Sequence, residues 1–160
     1  MKTKHISFLT TVALSIIITT GCVKPKSNTI ADPNAKQHSE DVSNTKNESD
    51  NLNNDVNTVL TGVTGFGKTD ATTGTINICG ATIDSSQQNG TPKTIIIHFD
   101  GVTACGSPAR IRGGDVKVEL IHGNKWSDAG AEMRITHTNY KVTFVNLNNH
   151  YVTFNGVKYL

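Results

Sequence analysis

Apolar and polar residues alternate with a period of two through most of the second half of the chain. Ile76 and Ile78 flank Asn77; Ile95, Ile97 and Phe99 alternate with Ile96 and His98; Val116, Val118 and Leu120 alternate with Lys117 and Glu119. Met133 and Ile135 alternate with Glu132 and Arg134, Tyr140, Val142 and Phe144 with Lys141 and Thr143, and Val152 and Phe154 with Thr153. Successive side chains on a strand point to opposite faces, so each run predicts a strand with one apolar face and one mostly polar face. Asn89-Gly90, Gly113-Gly114, Gly123-Asn124, Asn148-Asn149 and Asn155-Gly156 fall in the gaps and read as turns between short strands. No segment carries a convincing helical period. The pattern predicts an all-β domain: an antiparallel meander, built as a sandwich or a strongly curved open sheet. Val157-Lys158-Tyr159-Leu160 resumes the alternation and then stops. An exposed final strand is a pairing hazard, so this one is either paired inside the sheet or belongs to a shortened domain.

Upstream the pattern is lost. Residues 23–70 are rich in Asn, Ser, Thr, Lys and Asp, with almost no aromatic or periodic apolar content. Such a stretch buries too little apolar surface to offset the entropy of ordering, which predicts a disordered tether with a reach on the order of 40 Å. Val56, Val59 and Leu60 leave room for a short element at its end.

The first residues carry an address. Lys2, Lys4 and His5 precede an apolar run from Ile6 to Ile18, which is too short to cross a hydrocarbon core of about 30 Å and has the form of a secretory signal peptide. The run ends in Thr19-Thr20-Gly21-Cys22, which resembles the lipobox of bacterial lipoproteins, with Thr19 where most carry Leu. The lipobox chemistry needs a thiol at Cys22, whose sulfur takes the diacylglyceryl group and becomes the first residue of the mature chain. The alternative is an ordinary secretory signal cut elsewhere, with Cys22 incidental. The chain therefore divides into a signal peptide (1–21), a lipidated cysteine with a polar linker (22–71) and a β domain (72–160).

Charge narrows the partners. Lys and Arg number 15 against 13 Asp and Glu, and removing Lys2 and Lys4 with the signal leaves the two signs equal. A neutral chain without a basic run is unsuited to phosphate backbones, which argues against nucleic acid.

Cys79 and Cys105 remain as an even pair in an exported chain, which predicts a disulfide; two buried free thiols are the alternative. Two lone cysteines lack the spacing of a zinc site, and no metal or other cofactor is expected. Gly62-Val63-Thr64-Gly65-Phe66-Gly67-Lys68-Thr69 spells a P-loop, but the residues after Thr69 open no helix and the sheet is antiparallel, so the match reads as coincidence and no nucleotide is expected. His98, His122, His137 and His150 show no ligand spacing with one another; His98 and Asp100 share a strand face and form the first pair to inspect. No nucleophile elbow occurs around Ser107, and the many carboxylates single out no catalytic pair, so no catalytic residue is named. Trp126, in a Gly/Asp-rich turn, either caps the open end of the core or serves as an exposed ligand platform.

The run Ile78-Cys79-Gly80-Ala81-Thr82-Ile83-Asp84, then Pro92-Lys93-Thr94-Ile95-Ile96-Ile97-His98-Phe99 and a Gly/Cys turn, resembles a group of uncharacterised Bacteroidota-type lipoproteins. The likeness continues through the Gly-led strand Arg112-Gly113-Gly114-Asp115-Val116-Lys117-Val118, the turn Trp126-Ser127-Asp128-Ala129-Gly130 and the Tyr140-led strand. It implies a secreted β domain with Cys79 and Cys105 as a structural pair, no known activity, and further strands beyond Leu160 in other members. Surface-exported lipoproteins of this kind often carry acids just after the cysteine; here none precedes Asp32, which favours the periplasmic face of the outer membrane. Three functions remain, in order of preference. The first is a non-enzymatic envelope lipoprotein that binds an envelope protein or glycan or serves structurally. The second is a lipid-handling protein with an apolar groove, and the third a carbohydrate-active hydrolase.

Overall fold

The structure, a computed structural model, describes residues 34–67 and 76–160. Cys22, the signal peptide and the first part of the linker lie outside the described residues. One helix, α1 (Ala35–Gly62), precedes five strands: β1 (Ala81–Asp84), β2 (Lys93–Cys105), β3 (Arg110–His122), β4 (Glu132–Phe144) and β5 (His150–Tyr159). The strands form one antiparallel sheet in the order β1-β2-β3-β4-β5, the meander that the alternation predicts. Among the described residues it is a single open sheet, and the layer packed on it is α1 rather than another sheet.

The inward parity of the strands makes the core. Ile95, Ile97 and Phe99 on β2, Val116, Val118 and Leu120 on β3, and Met133, Ile135, Tyr140, Val142 and Phe144 on β4 are buried against Leu52, Val56, Val59, Leu60, Val63 and Phe66. Each fully buried aliphatic or aromatic side chain of this kind stabilises by roughly 1.5–3 kcal/mol. Ile78 joins this core from an irregular segment, and Ile76 packs on Gly62, so the strand expected at 76–78 is not formed.

The main correction to the sequence reading is α1, which occupies part of the stretch expected to be a disordered tether. Its buried residues, Glu48, Leu52, Val56, Val59 and Leu60, recur at helical spacing and form one stripe. One member of that stripe is a glutamate and the opposite face is Asn- and Ser-rich, so the stripe is thin. No acid stands in the first turn and no base in the last, so the helix gains nothing there from its dipole. Packing on the sheet holds it instead. Thr45, Thr58 and Thr61 donate their hydroxyls to the carbonyls of Asp41, Asn54 and Asn57, satisfying side chains that would otherwise compete for the helical backbone.

Two glycine-containing pairs expected as turns lie inside strands. Gly113 and Gly114 sit in the middle of β3, where a β-carbon on Gly113 would meet the Cα of Gly101 at 3.0 Å and one on Gly114 would meet the Asn139 carbonyl oxygen. Asn155-Gly156 is interior to β5. The turns at Asn89-Gly90, Gly123-Asn124 and Asn148-Asn149 form as expected, with φ of 51° and 59° at Asn148 and Asn149.

A bulge in β4 changes which side chains face the helix. Met133, Ile135 and His137 share one parity, whereas Tyr140, Val142 and Phe144 share the other. The register shifts between His137 and Tyr140, where Asn139 takes a φ of 51° opposite Gly114. The extra residue turns Tyr140 toward α1.

Candidate functional site

The joint between α1 and the sheet holds a cluster of ionisable groups. Glu48, only 1% exposed, hangs from α1 over β3 and β4. The Tyr140 hydroxyl donates to Glu48 Oε1 at 2.6 Å. Arg110 Nε lies 3.2 Å from Glu48 Oε2, close enough to attract but not aligned for a hydrogen bond, and Arg112 Nη1 lies 3.8 Å from Oε1. Arg112 also donates to Asp55 Oδ2 at 2.5 Å, further along α1, and to the Cys79 carbonyl at 3.4 Å. Its guanidinium sits 4.5 Å over the Phe99 ring, and Phe99, Tyr140 and Phe154 stack in a tilted row with centroids 5.2 and 5.7 Å apart.

Burial governs the electrostatics. It pushes the Glu48 carboxyl up, against the Tyr140 hydrogen bond and the two arginine charges. It also pushes the Tyr140 hydroxyl up, which keeps that group a donor across the working range. Burial acts to lower Arg112, but the Asp55 carboxylate, through its charge and its hydrogen bond, together with Glu48 outweighs it and holds the guanidinium above its ordinary value. Burial lowers His137, whose ring lies 6.3 Å from that of Tyr140. Perturbed groups in a cluster mark a candidate site. Here they face one another, and the hollow beside them, bounded by Leu52, Val56, Ile135 and Phe154, is about 70 Å³. That is a space for a few solvent molecules rather than an organic ligand. What the arrangement does chemically is fix α1 to the sheet in one position.

The residues singled out from the sequence are dispersed. Cys79 and Cys105 are joined at an S–S distance of 2.05 Å, and through the Cys79 carbonyl this bond lies next to the Arg112 joint. His98 and Asp100 do not pair: His98 Nδ1 meets Asp115 Oδ1 across β3 at 2.8 Å, while Asp100 accepts from Val102 N, Thr103 N and the Thr103 hydroxyl, which hold its carboxyl below the ordinary range. His122 pairs with Glu132 at 2.8 Å and His150 with Asp41 at 3.1 Å, three separate pairs at three places. Among the described residues no group of three His, Cys, Asp or Glu side chains could hold a metal ion.

The P-loop match sits at the wrong end of a helix. It begins at Gly62, where α1 ends, so the nearest dipole end is negative. The amides of Phe66 and Gly67 already donate to the Val63 carbonyl, and the Gly65 carbonyl accepts from Lys93 Nζ at 2.9 Å. Lys68 and Thr69 lie outside the described residues.

Trp126 is half-buried and packs on the core from the β3–β4 turn, its amide donating to the Phe66 carbonyl at 3.0 Å. A β-carbon on Gly67 would come within 2.6 Å of the indole Nε1. This is the capping arrangement. Gly67→Ala is therefore expected to push the indole outward, reddening the fluorescence of the single tryptophan and costing about 1–3 kcal/mol. An unchanged emission maximum would mean that the ring is not seated there.

The sequence reading missed Glu48, Asp55, Arg110 and Arg112, and took Tyr140 only as core. One signal was available: Arg112 shares the inward parity of Val116, Val118 and Leu120, so an arginine on that face needs an acid above it. No known protein family matches the chain, and neither the curated proteins nor the solved structures give a match.

Proposed function

We propose that this chain is an envelope lipoprotein, anchored through a lipidated Cys22 on the periplasmic face of the outer membrane, whose domain is a non-enzymatic binding or structural module. The observation that carries this reading is where the domain places its reactive and its sticky groups. Glu48, Arg112 and Tyr140 are enclosed in the helix–sheet joint, while three of the exposed large apolar side chains among the described residues, Tyr151, Val157 and Tyr159, share the strand β5. A surface of that kind suits a partner better than a substrate. The Cys79–Cys105 bond supports export, because such bonds persist in oxidising compartments. The likeness to Bacteroidota-type lipoproteins points the same way.

The anchor is tested with the full chain in a lipoprotein-processing host. The wild type is expected to fractionate with membranes and to carry acyl mass on Cys22, whereas Cys22→Ser is expected in the soluble periplasmic fraction or as uncleaved precursor. Acyl-free wild type, or Cys22→Ser that is still processed and membrane-bound, would overturn the anchor.

A further inference from the structure

We propose that two copies of this chain pair antiparallel along their β5 edges, joining two five-stranded sheets into one about a two-fold axis at Asn155. This rests on the binding-module reading and names the partner of its open edge.

Among the described strands β5 ends the order, with β4 as its neighbour, and no described strand pairs with its outer edge. Met133 and Leu160 exchange both amide hydrogen bonds, at 2.9 and 3.0 Å. In an antiparallel ladder the direction alternates residue by residue, so the main-chain groups of Val157 and Tyr159 point away from β4 to the open edge. Their side chains are 53% and 60% exposed, and Tyr151 at the other end of β5 is 57% exposed. A long edge strand carrying such side chains is a template for strand addition.

The side-chain order is what selects a second copy. The outer-face positions of β5 read Tyr151, Thr153, Asn155, Val157, Tyr159, which is nearly the same in either direction about Asn155. Two-fold pairing sets Tyr151 against the other copy's Tyr159 and Thr153 against its Val157, and does so twice, as an isologous interface requires. Aromatic and β-branched cross-strand pairs are the stabilising kind. On the inner face the same register sets Phe154 beside the other copy's Gly156, and nothing lies within 4 Å of where a Gly156 β-carbon would be. Phe154 also borders a hollow of about 470 Å³ beneath the exposed side of α1, which leaves room for the added strand's inner-face side chains. Charge does not oppose the pairing. Lys158 bonds to Asn53 of its own chain at 3.2 Å, His150 is held by Asp41, and β5 carries no acid. Lys158 faces Val152 of the other copy in this register.

The test uses the full chain, first in membranes and then in detergent. Asn155→Cys lies on the axis and meets its own copy, so mild oxidation is expected to give a disulfide-linked dimer, while Lys117→Cys, on β3 in the middle of the same face, gives none. Light scattering of the unaltered chain, with detergent mass subtracted, is expected to return a dimer. Val157→Pro removes an edge-facing amide without breaking a bond to β4, and is expected to weaken dimerisation at least tenfold while leaving the circular dichroism unchanged. A monomeric unaltered chain, an unchanged Val157→Pro dimer, or cross-linking through Lys117→Cys instead of Asn155→Cys would each overturn the proposal. A monomer that still fractionates with membranes through Cys22 removes the self-pairing alone; loss of Cys22-dependent attachment removes the anchored-module reading whatever the oligomeric state.

Discussion

Glu48→Ala is expected to destabilise the domain by about 3–5 kcal/mol, the scale seen when one partner of a buried ion pair is deleted. The substitution leaves the Tyr140 hydroxyl without its acceptor and Arg110 without its nearest carboxylate, in a joint where Glu48 is fully enclosed. Arg112 keeps Asp55, which limits the loss. Urea unfolding of wild type and variant measures it. A cost below about 1 kcal/mol would mean that the joint is not a determinant of stability. Glu48→Gln separates the charge from the hydrogen bond, because the amide oxygen can still accept from Tyr140. Burial holds the Glu48 carboxyl above its ordinary value of 4.5, so protonation favours the folded state. Its contribution is fully present below 4.5 and is lost as pH rises through the raised folded value. Wild type is therefore expected to lose stability relative to Glu48→Gln on going from pH 4.5 upward. A gap that moves the other way would show the two arginines outweighing burial. Glu119 runs opposite: the Arg134 hydrogen bond lowers its carboxyl, so its contribution is present above 4.5 and lost on acidification.

Removing the Cys79–Cys105 bond is the second large effect. The two cysteines are 26 residues apart, and on the chain-entropy account opening a loop of that length costs about 3.5 kcal/mol. Against the roughly 5–15 kcal/mol typical of a domain, this is a large share. The bond also anchors the segment whose Cys79 carbonyl accepts from Arg112, so its loss is expected to weaken the Glu48 joint as well. Denaturation of the Cys79→Ser/Cys105→Ser variant, alone and combined with Glu48→Gln, reads both effects. Costs that simply add would show that the loop and the joint are independent.

How much of the fold and the joint was legible depends on the range over which each signal acts. Strand alternation is local, and β2, β3 and β4 lie where Ile95–Phe99, Val116–Leu120 and Met133–Phe144 alternate. The change of parity between His137 and Tyr140 was written in the sequence as well, but as two runs; that a bulge at Asn139 joins them into one strand depends on Gly114 across the sheet. Gly113-Gly114 reads as a turn because a glycine demanded by a close backbone approach looks the same in sequence as one demanded by a turn. α1 is not legible because its apolar stripe is short, running only from Leu52 to Leu60 beyond Glu48, and is surrounded by Asn and Ser, so composition outweighs spacing.

The sequence by itself determined the antiparallel meander, its main turns and an even pair of cysteines, because period, turn chemistry and cysteine number are properties of neighbouring or countable residues. Only the tertiary structure decided that a polar segment is a helix, that it covers one face of an open sheet, and that Glu48, Asp55, Arg110, Arg112 and Tyr140 meet. The physical reason is that a buried charge is tolerable only where partners of the opposite sign are brought within a few ångströms. The separation of 92 positions between Glu48 and Tyr140 is closed by folding alone.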